Sequence, residues 1–196
     1  LAAIAGNLDG LSGLSRERVG AEMRKLLAAP DPAPSVAAMR QAGVLAALLP
    51  GASDTALAPL VHLEAEQGIA PAPMTRLAAL GPADAPDRLR LSKAETARWQ
   101  ALRDACQSGE GAGALGYRHG AEIAMAALLI RAASTGTPLA PGTAAAVERG
   151  AAAVFPVRPA DLMPDYEGAA LGQKLRALEA RWIASDFTLD RAALLE

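Results

Sequence analysis

Arginine and lysine side chains are concentrated in two short stretches of this sequence, where they could bind phosphate groups. The first stretch, residues 15–27, carries basic side chains on one edge of an amphipathic helical pattern. The second stretch, residues 88–103, has five basic side chains opposed only by Glu95, a net charge of +4. Cationic side chains supply most of the affinity for a nucleic-acid backbone. The candidate phosphate-contacting residues are Arg16, Arg18, Arg24, Lys25, Arg88, Arg90, Lys93 and Arg98.

A solvated helix face is the alternative interpretation of both stretches. Arg18 and Glu22 stand at positions i and i+4, where an ordinary surface ion pair can form. Ser92-Lys93-Ala94-Glu95 has the pattern of a capping box that begins a soluble helix. The net charge of −2 and the isoelectric point of about 5.8 exclude a strongly basic nucleic-acid coat. A local patch stays compatible with these values, because phosphate contacts need only a few cations.

The remaining reactive side chains do not form a recognisable catalytic or metal-binding pattern. His62 with Glu66, and His119 with Glu122, lie one helical turn apart and lack a third ligand nearby, so surface ion pairs explain them. Cys106 is predicted on the apolar face of its helix, which favours a buried, inert thiol. A single cysteine excludes an intrachain disulfide and suits a reducing cytoplasm. We expect no catalytic residue and no metal site.

Three segments of the sequence resemble, in the same order, the class II tRNA nucleotidyltransferases and the bacterial poly(A) polymerases related to them. Residues 15–27 are similar to the family pattern S-x-E-R-[IV]-x-x-E-[LM]-x-K-L-L. Residues 89–95 resemble L-x-L-S-[NK]-x-E, and residues 155–163 resemble F-P-[LV]-[KR]-G-x-D-L-[LM], with Pro159 in place of the glycine. The resemblance implies a helical region that binds tRNA or another RNA 3′ end, in an enzyme that adds CCA or AMP.

The motifs of that family's catalytic head do not occur in this sequence. The family holds two Mg²⁺ ions with a D-x-D pair, which follows a Gly-Ser turn, and selects the base with E-D-x-x-R. None of the three is found among the 196 residues. We therefore expect a fragment of a longer protein that has its head in cis and is inactive alone. The resemblance assigns Mg²⁺ and CTP or ATP to the parent enzyme, and no cofactor to these residues.

The composition predicts an all-α fold of nine or ten helices without a sheet. Alanine and leucine dominate, aromatic residues make up 3 %, and the 18 glycines and 14 prolines cluster between the periodic segments. An alanine-rich helix at residues 144–154 is expected to allow close approach of a neighbouring helix. No apolar run reaches the ~18 residues that a membrane span needs, so we expect a cytoplasmic protein without a membrane partner.

A proline- and glycine-rich stretch at residues 81–88 predicts a linker between two parts of the chain. Residues 1–82 would hold the end of the family's neck and the first, RNA-binding part of its helical body. Residues 83–196 would hold the rest of the body and the tail. From residue 158 onward seven acidic side chains oppose five basic ones, so this part is not expected to bind RNA. The competing hypothesis is a helical protein–protein interaction module without an RNA partner, which the acidic isoelectric point favours.

Overall fold

The computed structural model describes residue 10 and residues 13–196, and this part of the chain contains helices and no strand. The all-α prediction is therefore confirmed. The helices are α1 (Arg16–Leu27), α2 (Ala33–Gln41), α3 (Val44–Leu48), α4 (Leu57–Glu66), α5 (Pro73–Leu80), α6 (Ala85–Arg88), α7 (Lys93–Gln107), α8 (Ala112–Thr135), α9 (Thr143–Ala152), α10 (Gly168–Ala184) and α11 (Arg191–Leu195). The described residues thus hold eleven helices, where nine or ten were expected for the chain, and α6 forms within the predicted linker.

The chain divides into two compact units. The first unit comprises Leu1–Gly109 and Ala126–Pro141, and the second comprises Glu110–Met125 and Gly142–Glu196. Helix α8 contributes to both, and it is interrupted at Gly120, whose φ of 78° and ψ of 163° are not helical. This division differs from the predicted boundary between residues 82 and 83.

The segment at residues 81–88 belongs to the first unit instead of linking two units. Ala85 and Leu89 are almost completely buried, at 0 and 1 % exposure. Helix α5 packs against α7, and Arg103 of α7 donates a hydrogen bond to the carbonyl oxygen of Gly81 at 2.7 Å. The glycine and prolines here end α5 and begin α6, so they mark a tight turn that packs onto the first unit through buried residues such as Ala85.

Helix α5 is the centre of the first unit. Six of its eight residues are buried, among them Met74, Leu77 and Leu80, and it packs against α1, α4 and α7. Burying apolar side chains on three sides is the main contribution that holds these helices together. The position of α1 is therefore set largely by α5.

The second unit has its own core around Trp182. Val157, Leu162, Leu178 and Leu194 are buried with it. The rings of Tyr117, Phe155 and Phe187 surround the Trp182 indole with centroids 5.4, 5.4 and 4.9 Å away, mostly in edge-on geometry. Such aromatic contacts add to the stabilisation from burial.

Glycines bring α9 into backbone contact with the first part of α8. A Cβ atom at Gly150 would lie 1.9 Å from the carbonyl oxygen of Gly113, and one at Gly116 would lie 2.2 Å from that of Val147. Only residues without a side chain fit at such distances. The expected close approach of the alanine-rich helix is confirmed.

Replacing Gly150 with alanine should destabilise the second unit. The added methyl group meets backbone that cannot move away, so we expect the free energy of unfolding to fall by about 1–3 kcal/mol. Gly172→Ala in α10 is the matched control, because its Cβ would meet only the end of Arg176 at 3.5 Å. Alanine at an open helical position should stabilise by up to ~1 kcal/mol. Urea unfolding of both variants by circular dichroism tests the difference, and equal midpoints would contradict the contact.

Candidate nucleic-acid interface

The two basic stretches lie side by side in the first unit. Glu17 Oε1 of α1 is 3.4 Å from Arg90 Nε, and Arg24 Nε is 3.5 Å from Glu95 Oε1 of α7. Between these ion pairs, a Cβ atom at Gly20 would stand 1.9 Å from the carbonyl oxygen of Leu89. Helix α1 therefore lies directly against residues 89–95. We call the exposed side chains of residues 16–25 and 88–98 the basic surface.

Side-chain caps fix where the two long helices of the basic surface begin. Ser15 Oγ accepts a hydrogen bond from the Arg18 backbone N–H at 3.3 Å, which confirms Ser15 as the N-cap of α1. At α7, Ser92 Oγ accepts from the Glu95 N–H at 3.3 Å, and Glu95 Oε2 accepts from the Ser92 N–H at 2.8 Å. The predicted capping box is therefore confirmed.

Glu95 connects the cap of α7 to α1. Its hydrogen bonds with Ser92 and the nearby charge of Arg24 hold the pKa of this carboxyl below its usual value. The carboxylate therefore stays charged at neutral pH, with one oxygen at the helix N-terminus and the other at Arg24. This arrangement keeps Arg24 at the boundary between the two helices.

The eight candidate cations differ in how they are engaged. Arg24 of α1 and Arg90, which precedes α7, pair with Glu95 and Glu17 as described, and Arg88 pairs with Asp84 one turn earlier in the chain. Arg98 is half-buried. Four candidates are exposed and form no ion pair within the described residues, namely Arg16, Arg18, Lys25 and Lys93.

The second side of α1 borders an apolar groove. Arg18 and Glu22 line it and do not pair with each other among the described residues, so the surface ion pair of the alternative interpretation is not formed. The other described lining side chains are apolar and come from α1, α2, α3 and Leu14, which lies two residues before α1: Leu14, Val19, Ala21, Met23, Leu26, Met39 and Leu48. Leu14 is 48 % exposed at its rim.

A buried ion pair that the sequence patterns did not reveal holds the C-terminal end of α1. Arg76 of α5 is 1 % exposed, and its Nε and Nη2 lie 2.9 and 2.7 Å from Glu64 Oε2 of α4. Its Nη1 donates to the carbonyl oxygens of Leu27 and Ala29 at 2.9 and 2.5 Å, and its Nη2 to that of Pro30 at 3.3 Å. The guanidinium thus caps the unpaired carbonyls at the end of α1. The only signal in the sequence is one cation within an otherwise uncharged helix.

Removing Arg76 should destabilise the protein more than removing both members of the pair. Arg76→Met leaves the Glu64 carboxylate buried without a counter-charge, so we expect a loss of about 3–5 kcal/mol in the free energy of unfolding. The double variant Arg76→Met with Glu64→Leu buries no charge and should recover part of that loss. Urea unfolding measures both, and a double variant at least as unstable as the single one would contradict this role.

The reactive side chains of His62 and Cys106 lie outside the basic surface and contact neighbouring protein groups. His62 Nε2 lies 3.2 Å from Glu66 Oε1, with both side chains exposed. Among the described residues no group of three or more His, Cys, Asp or Glu side chains is placed to hold a metal ion. The Cys106 thiol is 3.7 Å from the Ala127 carbonyl oxygen, and burial raises its pKa to about 11. This supports the interpretation of Cys106 as an inert thiol, because the thiolate is the reactive form.

The third segment of the resemblance, residues 155–163, forms a turn that ties α11 to the core of the second unit. Asp161 accepts hydrogen bonds from Arg191 Nη2 at 2.7 Å and from the Arg158 backbone N–H at 2.8 Å. These contacts lower the pKa of Asp161 to about 2, and the hydrogen bond with Arg191 makes the largest contribution. This acidic side chain is thus engaged inside the second unit.

Comparison with known protein families gives a match for the part of the chain that contains α1. A family model described as the probable RNA and SrmB-binding site of polymerase A matches residues 1–55. The match fits the RNA-binding region of a poly(A) polymerase or CCA-adding enzyme, and it includes the first of the two basic stretches. No curated protein matches the chain. None of the described helices has the length and hydropathy that crossing a bilayer requires.

Proposed function

We propose that this chain is the RNA-binding helical part of an enzyme that adds CCA or AMP to RNA 3′ ends, and that the basic surface contacts the RNA. One observation carries the proposal. Two basic stretches that are distant in sequence lie side by side, and the first is within the residues that match an RNA-binding family model. A tRNA, or another RNA near its 3′ end, is the ligand that the resemblance implies.

The charges of the basic surface suit a phosphate backbone. Arg16, Lys25 and Lys93 are exposed, and within the described part of the chain they form no ion pair that a phosphate would have to displace. Arg24 and Arg90 have carboxylate partners at 3.5 and 3.4 Å, and the pairs are partly or largely exposed. Exposed pairs of this kind contribute about 0–1 kcal/mol, so exchanging a carboxylate for an RNA phosphate costs little.

The chemistry of nucleotide addition is assigned, in this proposal, to a catalytic head in cis. That head would hold Mg²⁺ and CTP or ATP with the D-x-D pair that this sequence lacks. The present chain would then hold the RNA while its 3′ end is extended, and by itself would incorporate no nucleotide. The proposal also places the enzyme in the cytoplasm, in agreement with its single cysteine.

A protein-binding module is the second candidate function. The apolar groove beside α1 favours it, because Leu14 and the methionines Met23 and Met39 line a concave surface next to exposed charges. The matching family model is itself described as a probable binding site for both RNA and SrmB. The two functions require different ligands, so a titration with RNA separates them.

Removing two exposed lysines from the basic surface should weaken RNA binding. For Lys25→Ala with Lys93→Ala we expect about tenfold weaker binding of a tRNA transcript, and a salt dependence shallower by roughly two units, one for each lost phosphate contact. Filter binding at several salt concentrations measures both values. The matched control is Lys174→Ala with Arg176→Ala, which removes the same charge from α10 in the second unit and should change binding little.

Two results would contradict the proposal. If the α10 pair weakens binding more than the lysine pair, the RNA-binding surface lies in the second unit. If the unaltered chain shows no salt-dependent binding of the transcript, the protein-binding function is favoured. Circular dichroism of each variant distinguishes a lost contact from a lost fold.

A further inference from the structure

Arg90 has a backbone conformation that this chain otherwise gives mostly to glycine. Its φ of 46° lies in the left-handed region, where a Cβ atom crowds the backbone. Among the described residues, nine glycines and only three other residues have a positive φ. An arginine at such a position therefore needs a reason.

The end of α6 requires this conformation. The Leu91 N–H donates to the carbonyl oxygen of Pro86 at 3.0 Å, across the end of the helix. This is the closing hydrogen bond of a Schellman motif, in which the residue corresponding to Arg90 is left-handed and is usually glycine. Glycine at this position would close the helix with less strain.

The other two residues with positive φ are accounted for by their contacts. Phe187 packs its ring against Trp182, with centroids 4.9 Å apart, in the core of the second unit. Asp186 is of a type that tolerates the left-handed region, and it pairs with Arg149 at 2.8 Å.

Arg90 has neither the ring packing of Phe187 nor the short side chain of Asp186 to account for its conformation. Its side chain is 57 % exposed, and its ion pair with Glu17, itself 67 % exposed, has a separation of 3.4 Å. Exposed pairs contribute little to stability. The backbone beside it is held firmly, because Leu89 is buried and its carbonyl oxygen lies against Gly20 of α1. A strained residue in rigid surroundings, with an exposed charged side chain, is typical of a functional position.

We propose that Arg90 is a phosphate-contacting residue of the basic surface, and that Glu17 holds its guanidinium in place until an RNA phosphate displaces the carboxylate. This inference rests on the proposed function and deepens it, because it assigns a specific role to one of eight candidate cations. The strain at Arg90 is the cost of placing a guanidinium, instead of glycine, at the end of α6.

The variant Arg90→Gly separates stability from binding. Relief of strain should raise the urea midpoint of unfolding, while loss of the contact should weaken binding of a tRNA transcript by about fivefold and make its salt dependence shallower by roughly one unit. Arg90→Lys keeps the charge and the strain, so it should bind more tightly than Arg90→Gly without the gain in stability. Arg40→Ala is the control, because Arg40 is not part of the basic surface. Its Nε lies 2.8 Å from Asp54 Oδ1, and its replacement should not affect RNA binding.

A second set of variants tests the role of Glu17. Glu17→Gln removes the carboxylate that competes with phosphate, so it should tighten RNA binding about two- to threefold in the unaltered chain and less in the Arg90→Gly background. Glu22→Gln is the control, because it removes the same charge from α1 while Glu17, the residue that pairs with Arg90, stays in place. Its effect should be equal in both backgrounds.

The inference is overturned if Arg90→Gly binds RNA as tightly as the unaltered chain, or if it unfolds at a lower urea concentration. It is also overturned if Glu17→Gln has the same effect in both backgrounds. The proposed function stands in each of these cases, because the unaltered chain still binds. Absence of salt-dependent binding by the unaltered chain would instead overturn the proposed function and this inference together.

Discussion

The buried ion pair between Glu64 and Arg76 is the interaction on which the arrangement of the first unit depends. A guanidinium at 1 % exposure is costly to bury unless all its donors are satisfied, and here a carboxylate and three carbonyl oxygens satisfy them. Those carbonyls belong to the end of α1 and the turn after it. The pair therefore fastens α1 to α4 and α5, and thereby holds the helix that carries the first basic stretch against the second.

Glycine decides how closely the helices approach where they meet. At Gly20 the backbone of α1 touches the Leu89 carbonyl, and at Gly150 the backbone of α9 touches Gly113. Any side chain at these positions would separate the elements. In the first unit, this close approach is what brings Glu17 within reach of Arg90 and Arg24 within reach of Glu95.

The distribution of charge, and not its sum, favours an RNA-binding role. The chain is slightly acidic overall, at −2. In the second unit, acidic groups engage neighbours within the unit, as Asp161 does with Arg191 and Glu179 with Tyr117. In the first unit, Glu17 and Glu95 pair with Arg90 and Arg24 between α1 and residues 90–95, while other cations stay exposed. A local excess of cations on a rigid surface suffices for phosphate binding in a protein of any net charge.

Local patterns in the sequence predict most of the helices and the caps that begin α1 and α7. Ser15, the Ser92–Glu95 capping box and the small residues of α9 act over one or two helical turns, so their patterns are visible without a fold. Only the tertiary structure shows that residues 81–88 pack onto the first unit, that Arg76 is paired with Glu64, and that the two basic stretches lie side by side. Each of these three features depends on which helix faces meet although they are far apart in the chain. The spacing of side chains within one helix shows which face is apolar, but it does not show which other helix packs against that face.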